Sequence, residues 1–259
     1  MLYVLIDIII ILIIIGLGAG TLGSMIGVGG GIIMTPALAF IGLIPSHIAS
    51  TSLIAVTSTS VSSTIAYSKQ KRIDYRVGLK MAALSIPGAI TGAFLSSEIS
   101  TGSFKVYFAI LLTLTGIYIA YRNSIIKEKP DTKSKSMSFY LMFCAGSFGA
   151  GIISSLFGVG GGIVFVPMMV ILLRMTMLIS GPTSQLTLLI TSFAGVSTHV
   201  ILGHPDYIHA ISLSVGAFIG GQIGARLSRY VKENILQNLL SITLIGVAVK
   251  LLFDFMNKK

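Results

Sequence analysis

Charge is what this chain has least of. Only 10% of its 259 residues are Asp, Glu, Lys or Arg, against about 25% in a soluble domain. With 54% hydrophobic residues and a mean hydropathy of +0.94, that shortage excludes an ordinary soluble fold. The chain reads instead as an all-α polytopic integral membrane protein. Almost nothing lies outside apolar segments and their short connections, which leaves no room for a separate soluble catalytic domain.

Cysteine is nearly as scarce. Cys144 can form neither an intramolecular disulfide nor a multi-cysteine metal site, and reads as a small packing residue. His47, His204 and His209 fall in predicted loops without metal-ligand spacing. His199 lies in an apolar segment whose equivalent position in the first half is Tyr67, and reads as structural or interfacial. No nucleophile and base pairing and no paired intramembrane carboxylates appear. The expectation is no enzyme, no catalytic residue, no metal and no cofactor. A carboxylate relay of the proton-pump kind is not visible either.

The positive excess, a net charge of +10, sits in a few loops. It marks membrane orientation rather than nucleic-acid binding. Leu2 to Ile15 has no basic residue before it and no small-residue cleavage site, so it reads as a first membrane helix and not a removable leader.

Glycine and proline divide the first half into apolar segments at about Leu2–Ile26, Ile32–Ile44, Ile48–Ser68, Val77–Leu95 and Phe104–Tyr121. Four can span a bilayer. The second, at 1.5 Å rise, reaches only about 20 Å of the roughly 30 Å required. It begins beside the glycine run Gly27-Val28-Gly29-Gly30-Gly31, which continues to Pro36 and recurs as Gly158-Val159-Gly160-Gly161-Gly162 to Pro167. Three consecutive glycines weaken a helix by about 1 kcal/mol each relative to Ala. The run therefore predicts a broken or re-entrant helix, twice.

The second half repeats the first. Gly18 falls on Gly149, Ser24 on Ser155 and Pro36 on Pro167; after one inserted residue near Arg174, Thr51-Ser52 falls on Thr183-Ser184, Asp74-Tyr75 on Asp206-Tyr207, and Gly88 and Gly92 on Gly220 and Gly224. The organisation is a first membrane repeat over 1–121, a polar cytoplasmic linker over 122–136 and a second membrane repeat over 137–259. Basic residues orient the halves. The loop with Lys69, Lys71, Arg72, Arg76 and Lys80 is basic while its counterpart near Gly203 is not, and the loop with Arg226, Arg229 and Lys232 is basic while its counterpart at Ser96 to Ser103 is not. By the positive-inside rule equivalent loops then lie on opposite sides. The fold expected is two inverted-topology repeats, each of about four full transmembrane helices plus the short helix after GVGGG, with both termini outside the cytoplasmic membrane.

Inverted repeats with broken helices place a substrate site near the bilayer midplane in secondary transporters. Backbone N–H groups freed at Gly27, Gly29, Gly30, Gly31 and at Gly158, Gly160, Gly161, Gly162 would suit an anion. The competing reading is close helix packing through small residues. Hydroxyls crowd the following segment, and Thr51, Ser52, Thr183 and Ser184 recur at equivalent positions, with Gln185 adding an amide. Substrate contact and bonding to helix carbonyls are equally open for them. The run lacks the GK[ST] ending of a phosphate loop, so ATP-driven transport is not expected.

The doubled GVGGG to Pro pattern, the Thr-Ser segment, the basic loop and G-x3-G-A at Gly88 and Gly220 together resemble the sulfite exporter TauE/SafE family of membrane permeases. That resemblance implies transport of small sulfur-containing anions such as sulfite or organosulfonates across the cell membrane. Glycines, Pro36, Pro167 and the Thr/Ser/Gln set are then the candidate substrate-binding residues. The partners expected are a small anion and the lipid bilayer. A coupling ion, H+ or Na+, and homo-oligomerisation are left open, as is a channel-like facilitator for small anions in place of a carrier.

Overall fold

A computed structural model of the protein describes residues 2–125 and 137–232, together with residues 235, 238, 241–242, 245–250 and 253. The described residues form helices and turns, without strands. In chain order they are α1 (Leu2–Ile26), α2 (Gly31–Ile41), α3 (Pro45–Lys69), α4 (Tyr75–Leu95), α5 (Thr101–Ile125), α6 (Met137–Phe157), α7 (Gly162–Ile171), α8 (Met177–Ile201) and α9 (Tyr207–Leu227).

The ends of these helices follow from their residues. Gly27 takes φ 86° and stops α1, and Gly158 takes φ 70° and stops α6; that region is open to glycine and strained for other residues. Pro45 opens α3 at its first turn, where its missing N–H costs nothing. The Asp74 side chain accepts from the Val77 N–H at 3.0 Å and the Asp206 side chain from the His209 N–H at 3.3 Å, capping α4 and α9.

Among the described residues, six helices are long and apolar enough to cross a membrane: α1, α3, α4, α6, α8 and α9. The 11 residues of α2 and the 10 of α7 are not, at about 16 Å and 15 Å. The helix α5 runs to Ile125, so Arg122 to Ile125 of the expected linker are helical. The rest of that linker, 126–136, lies outside the described residues.

Small residues set the packing. Gly16 and Gly20 of α1 lie against Leu213 and Ala217 of α9, while Gly216, Gly220 and Gly224 lie against Ile13, Leu17 and Thr21. The positions rise together, so α1 and α9 run parallel and close, as glycine allows. Gly88 and Gly92 of α4 meet Phe148 and Ile152 of α6 in the same way. Parallel contact also joins α3 to α9, through Ser58 donating to the Ser214 carbonyl at 2.9 Å and Gln70 to that of Ala225 at 3.0 Å. It joins α4 to α8, through the Asp74 N–H donating to Thr183 and Thr187 donating to the Gly78 carbonyl. By contrast α3 and α8 cross antiparallel, with Leu53 beside Gly195 and Ser63 donating to Gln185 Oε1 at 3.0 Å. Helices of the first half, α1, α3 and α4, are thus packed against helices of the second, α6, α8 and α9. Phe104 and Phe108 of α5 join this core against Phe157 at 5.2 Å between ring centroids.

Candidate functional site

Both glycine breaks lie at the middle of this packing, and they face one another. Gly27, Gly29 and Gly30 take φ of 86°, 83° and 84°, and Gly158, Gly160 and Gly161 take 70°, 87° and 65°. Each break ends on a left-handed glycine, Gly30 or Gly161, that opens the short helix without a side-chain cap. A Cβ on Gly31 would lie 2.5 Å from Val159 Cα, and one on Gly162 would lie 2.6 Å from Val28 Cα. Gly29 and Gly160 both abut Val56 of α3 and Leu188 of α8. The two breaks therefore touch through backbone, each closing on its own repeat equivalent.

The hydroxyls singled out by their recurrence clamp this seam. Ser52 donates to the Gly158 carbonyl at 2.8 Å, and Ser184 donates to the Gly27 carbonyl at 2.7 Å. Thr51 accepts from the Asp206 N–H at 3.1 Å, and Thr183 accepts from the Asp74 N–H at 3.0 Å. Gln185 reaches the Gly23 carbonyl at 3.1 Å. All five side chains are fully buried. Each bonds to the half to which it does not belong, so they hold the halves together in this conformation. Backbone of each break lies against the other, and Val28 and Val159 are fully buried, so the seam is shut.

Pro36 and Pro167 stand elsewhere. Pro36 lines an apolar outward groove of about 380 Å³ with Ile11, Phe40 and Val247, and Pro167 lines one of about 610 Å³ with Met142, Ile163 and Leu114. The seam is built from the glycines, Thr51, Ser52, Thr183, Ser184 and Gln185 without the prolines.

A family model described as Sulfite exporter TauE/SafE matches residues 12–251. The chain belongs to this family. Several similar proteins carry the name probable membrane transporter protein. The chain is 31% identical over 95% of its length to the probable membrane transporter protein YunE of Bacillus subtilis, covering 97% of that protein. It is 26% identical to the probable membrane transporter protein YdhB of the same organism, over 90% of the chain and 96% of YdhB. It is 22% identical to the probable membrane transporter protein YfcA of Escherichia coli K12, over 91% of the chain and 86% of YfcA. No solved structure matches the chain.

Two further residues belong to this seam, Thr35 and Ser60; Ser60 recurs as Ser192, whereas Thr35 has no hydroxyl counterpart. Thr35, in α2, donates within 2.9 Å of the Phe157 carbonyl and 3.1 Å of Ser52 Oγ; its equivalent is Val166, so recurrence passes over it. Ser60 is fully buried beside Gly29, and its hydroxyl has no partner among the described residues. It is an uncommitted donor beside the first break, as Ser154 is beside Gly161, and in the sequence it is one among many serines and threonines of the same helix.

Proposed function

We propose that this chain is a secondary transporter of small sulfur-containing anions, such as sulfite or organosulfonates, in which two inverted-topology halves alternate access to a site at the glycine seam. The inversion is supported by helix direction. If α3 runs with α9, α4 runs with α8 and α3 opposes α8, then α3 opposes its equivalent α8 and α4 opposes its equivalent α9. The charge distribution agrees, since equivalent loops differ in basic residues. Both termini then lie outside, the basic loops and the linker lie in the cytoplasm, and the membrane is the cytoplasmic one.

The observation that carries the reading is the meeting of the two breaks. Two short helices start there on uncapped glycines, and a helix N-terminus favours negative charge. Ser60 and the clamp hydroxyls supply neutral donors that become available when the seam opens. No Arg or Lys of a membrane segment is needed for this, and affinity would rest on dipoles and hydroxyls. The shut seam is the occluded form, and rocking one half against the other opens it to one side at a time.

A thermal-shift screen of the purified protein tests the substrate class, using sulfite, sulfate, thiosulfate, sulfonates and carboxylates, each with and without sodium. A ligand that binds the folded state raises the unfolding temperature. Sulfite or a sulfonate should stabilise where carboxylates do not, and a sodium requirement would identify the coupling ion. No stabilisation by any sulfur anion would contradict the proposal.

A further inference from the structure

The two ends of the shut seam are closed by equivalent devices made of different chemistry. At the end of α3, Lys71 takes φ 55° and turns the chain so that the Arg72 N–H meets the Tyr67 carbonyl at 3.3 Å. At the end of α8, Gly203 takes φ 72° and the His204 N–H meets the His199 carbonyl at 3.1 Å. Both are left-handed helix endings that fold the sixth residue back over the first. In each case the first residue of the turn plugs the seam. Tyr67 donates to the Ser24 carbonyl at 2.7 Å, and His199 Nε2 donates to the carbonyl of Ser155, the repeat equivalent of Ser24, at 3.0 Å. Both plugs are fully buried.

The second residue then locks the plug, and here the ends differ. Arg72 lies 5.4 Å over the Tyr67 ring and donates to the Leu178 carbonyl, Gln70 and Ser228. That lock is always charged. His204 instead meets His199 through their Nδ1 atoms at 2.9 Å, and its Nε2 meets Ser97 at 3.1 Å.

Hydrogen positions at the histidine lock follow from the partners. The Ser155 carbonyl can only accept, so His199 Nε2 carries hydrogen, and neutral His199 has a bare Nδ1. The hydrogen between the two Nδ1 atoms then belongs to His204, whose bare Nε2 accepts from the Ser97 hydroxyl. The neutral pair satisfies every contact. One added proton, placed on His204 Nε2, charges the lock. A second puts N–H against N–H and breaks it.

We propose that His199 and His204 form a proton-binding site that loosens this end of the seam when both rings are charged, while the Tyr67–Arg72 end stays locked over the same pH range. Proton binding itself stands on the geometry above, and its use in gating rests on the transporter reading. The groups that face the pair are few. From α3 comes His47, whose charge opposes protonation of His204. From α6 come the Ser155 carbonyl and, beside Gly195 one turn before His199, the buried Ser155 hydroxyl. The turn after α4 brings Ser97 and the exposed Glu98, and at the start of α9 Asp206 is paired with His209 at 2.8 Å. Among the described residues no cluster of three histidines, cysteines or carboxylates could hold a metal. Burial first, and His47 second, hold the His204 imidazole below the usual histidine range, which favours the locked neutral form near pH 7.

The full-length protein in detergent, melted between pH 7.5 and 5, tests the site without any substrate. A group whose folded pKa is depressed contributes stability that is present above its unfolded value and is lost as pH falls through the folded one. The wild type should lose about 3 °C or more on acidification, and His199→Tyr with His204→Arg, which copies the other end, should lose less than half as much. Equal losses in wild type and variant would overturn the proposal, as would a flat wild-type profile. If the double variant does not fold, His204→Asn replaces it with the same expectation. Sulfite counterflow in liposomes at pH 5.5 and 7.5 separates the two readings. Flux with a flat melting profile rejects the proton site and keeps the transporter; a steep profile that the variant flattens, without sulfite flux in either protein, keeps the proton site and rejects the transporter.

Discussion

Ser52 and Gly158 are 106 positions apart, yet the Ser52 hydroxyl donates to the Gly158 carbonyl at 2.8 Å. The repeat-related contact from Ser184 to Gly27 is 2.7 Å. Each half thus holds the other's glycine break by the same bond. Removing one hydroxyl leaves a buried carbonyl unsatisfied, which costs about 1–3 kcal/mol. Ser52→Ala and Ser184→Ala should lower the unfolding temperature by similar amounts, and thermal unfolding of the two variants checks this. A drop in one variant alone would deny the equivalence of the clamps.

Glycines in this chain divide into those the packing requires and those it does not. An alanine at Gly31 or Gly162 would drive a Cβ into backbone of the opposite break, whereas Gly18 and Gly149, on α1 and α6, have nothing within 4 Å of an added Cβ. Gly18→Ala and Gly149→Ala should be neutral or stabilise by about 0.5–1 kcal/mol. Gly31→Ala and Gly162→Ala should destabilise or prevent folding, measured by yield of monodisperse protein and by unfolding temperature. Normal folding and unchanged sulfite flux in Gly31→Ala would remove the seam from the account.

The side-chain caps make a smaller, local prediction. Asp74→Ala and Asp206→Ala should each cost about 0.5–2 kcal/mol. Burial pulls the Asp206 carboxyl upward, but hydrogen bonds from His209 and its charge outweigh this and hold it below the ordinary carboxylate value. Its contribution is therefore complete above about pH 4 and is lost as pH falls through the lower folded value. Acid unfolding of Asp206→Asn against wild type checks the sign, since the variant should lose less stability below pH 4.

The helices were legible because their ends carry their own signals: Gly27, Pro45, Asp74 and Asp206 each stop or start a helix by local chemistry. The recurrence of Thr51-Ser52 as Thr183-Ser184 also marked residues that the structure brings to the seam. What they bond to was not legible. Their partners are backbone atoms of Asp206, Gly158, Asp74 and Gly27, and a backbone carbonyl or N–H looks the same at every position in a sequence. Pro36 and Pro167 repeat just as clearly but line outward grooves, since recurrence reports symmetry and not which face a residue takes. His199 and His204 lie five apart, and only the left-handed turn at Gly203 brings their rings together.

Topology has a separate check. Lys71 and Gly203 sit at equivalent turns, both with positive φ. In a Cys144→Ser background, made because Cys144 is exposed, cysteines at Lys71 and Gly203 should react with a membrane-impermeant maleimide from opposite sides. Labelling from the same side would contradict inverted halves.

Counterflow tests the central claim most directly. Proteoliposomes preloaded with unlabelled sulfite should take up radiolabelled sulfite several-fold faster than empty ones, because a carrier that alternates between two faces returns sooner when loaded. Equal uptake with and without internal sulfite would mean a pore, and no uptake at all would mean that sulfite does not enter the seam.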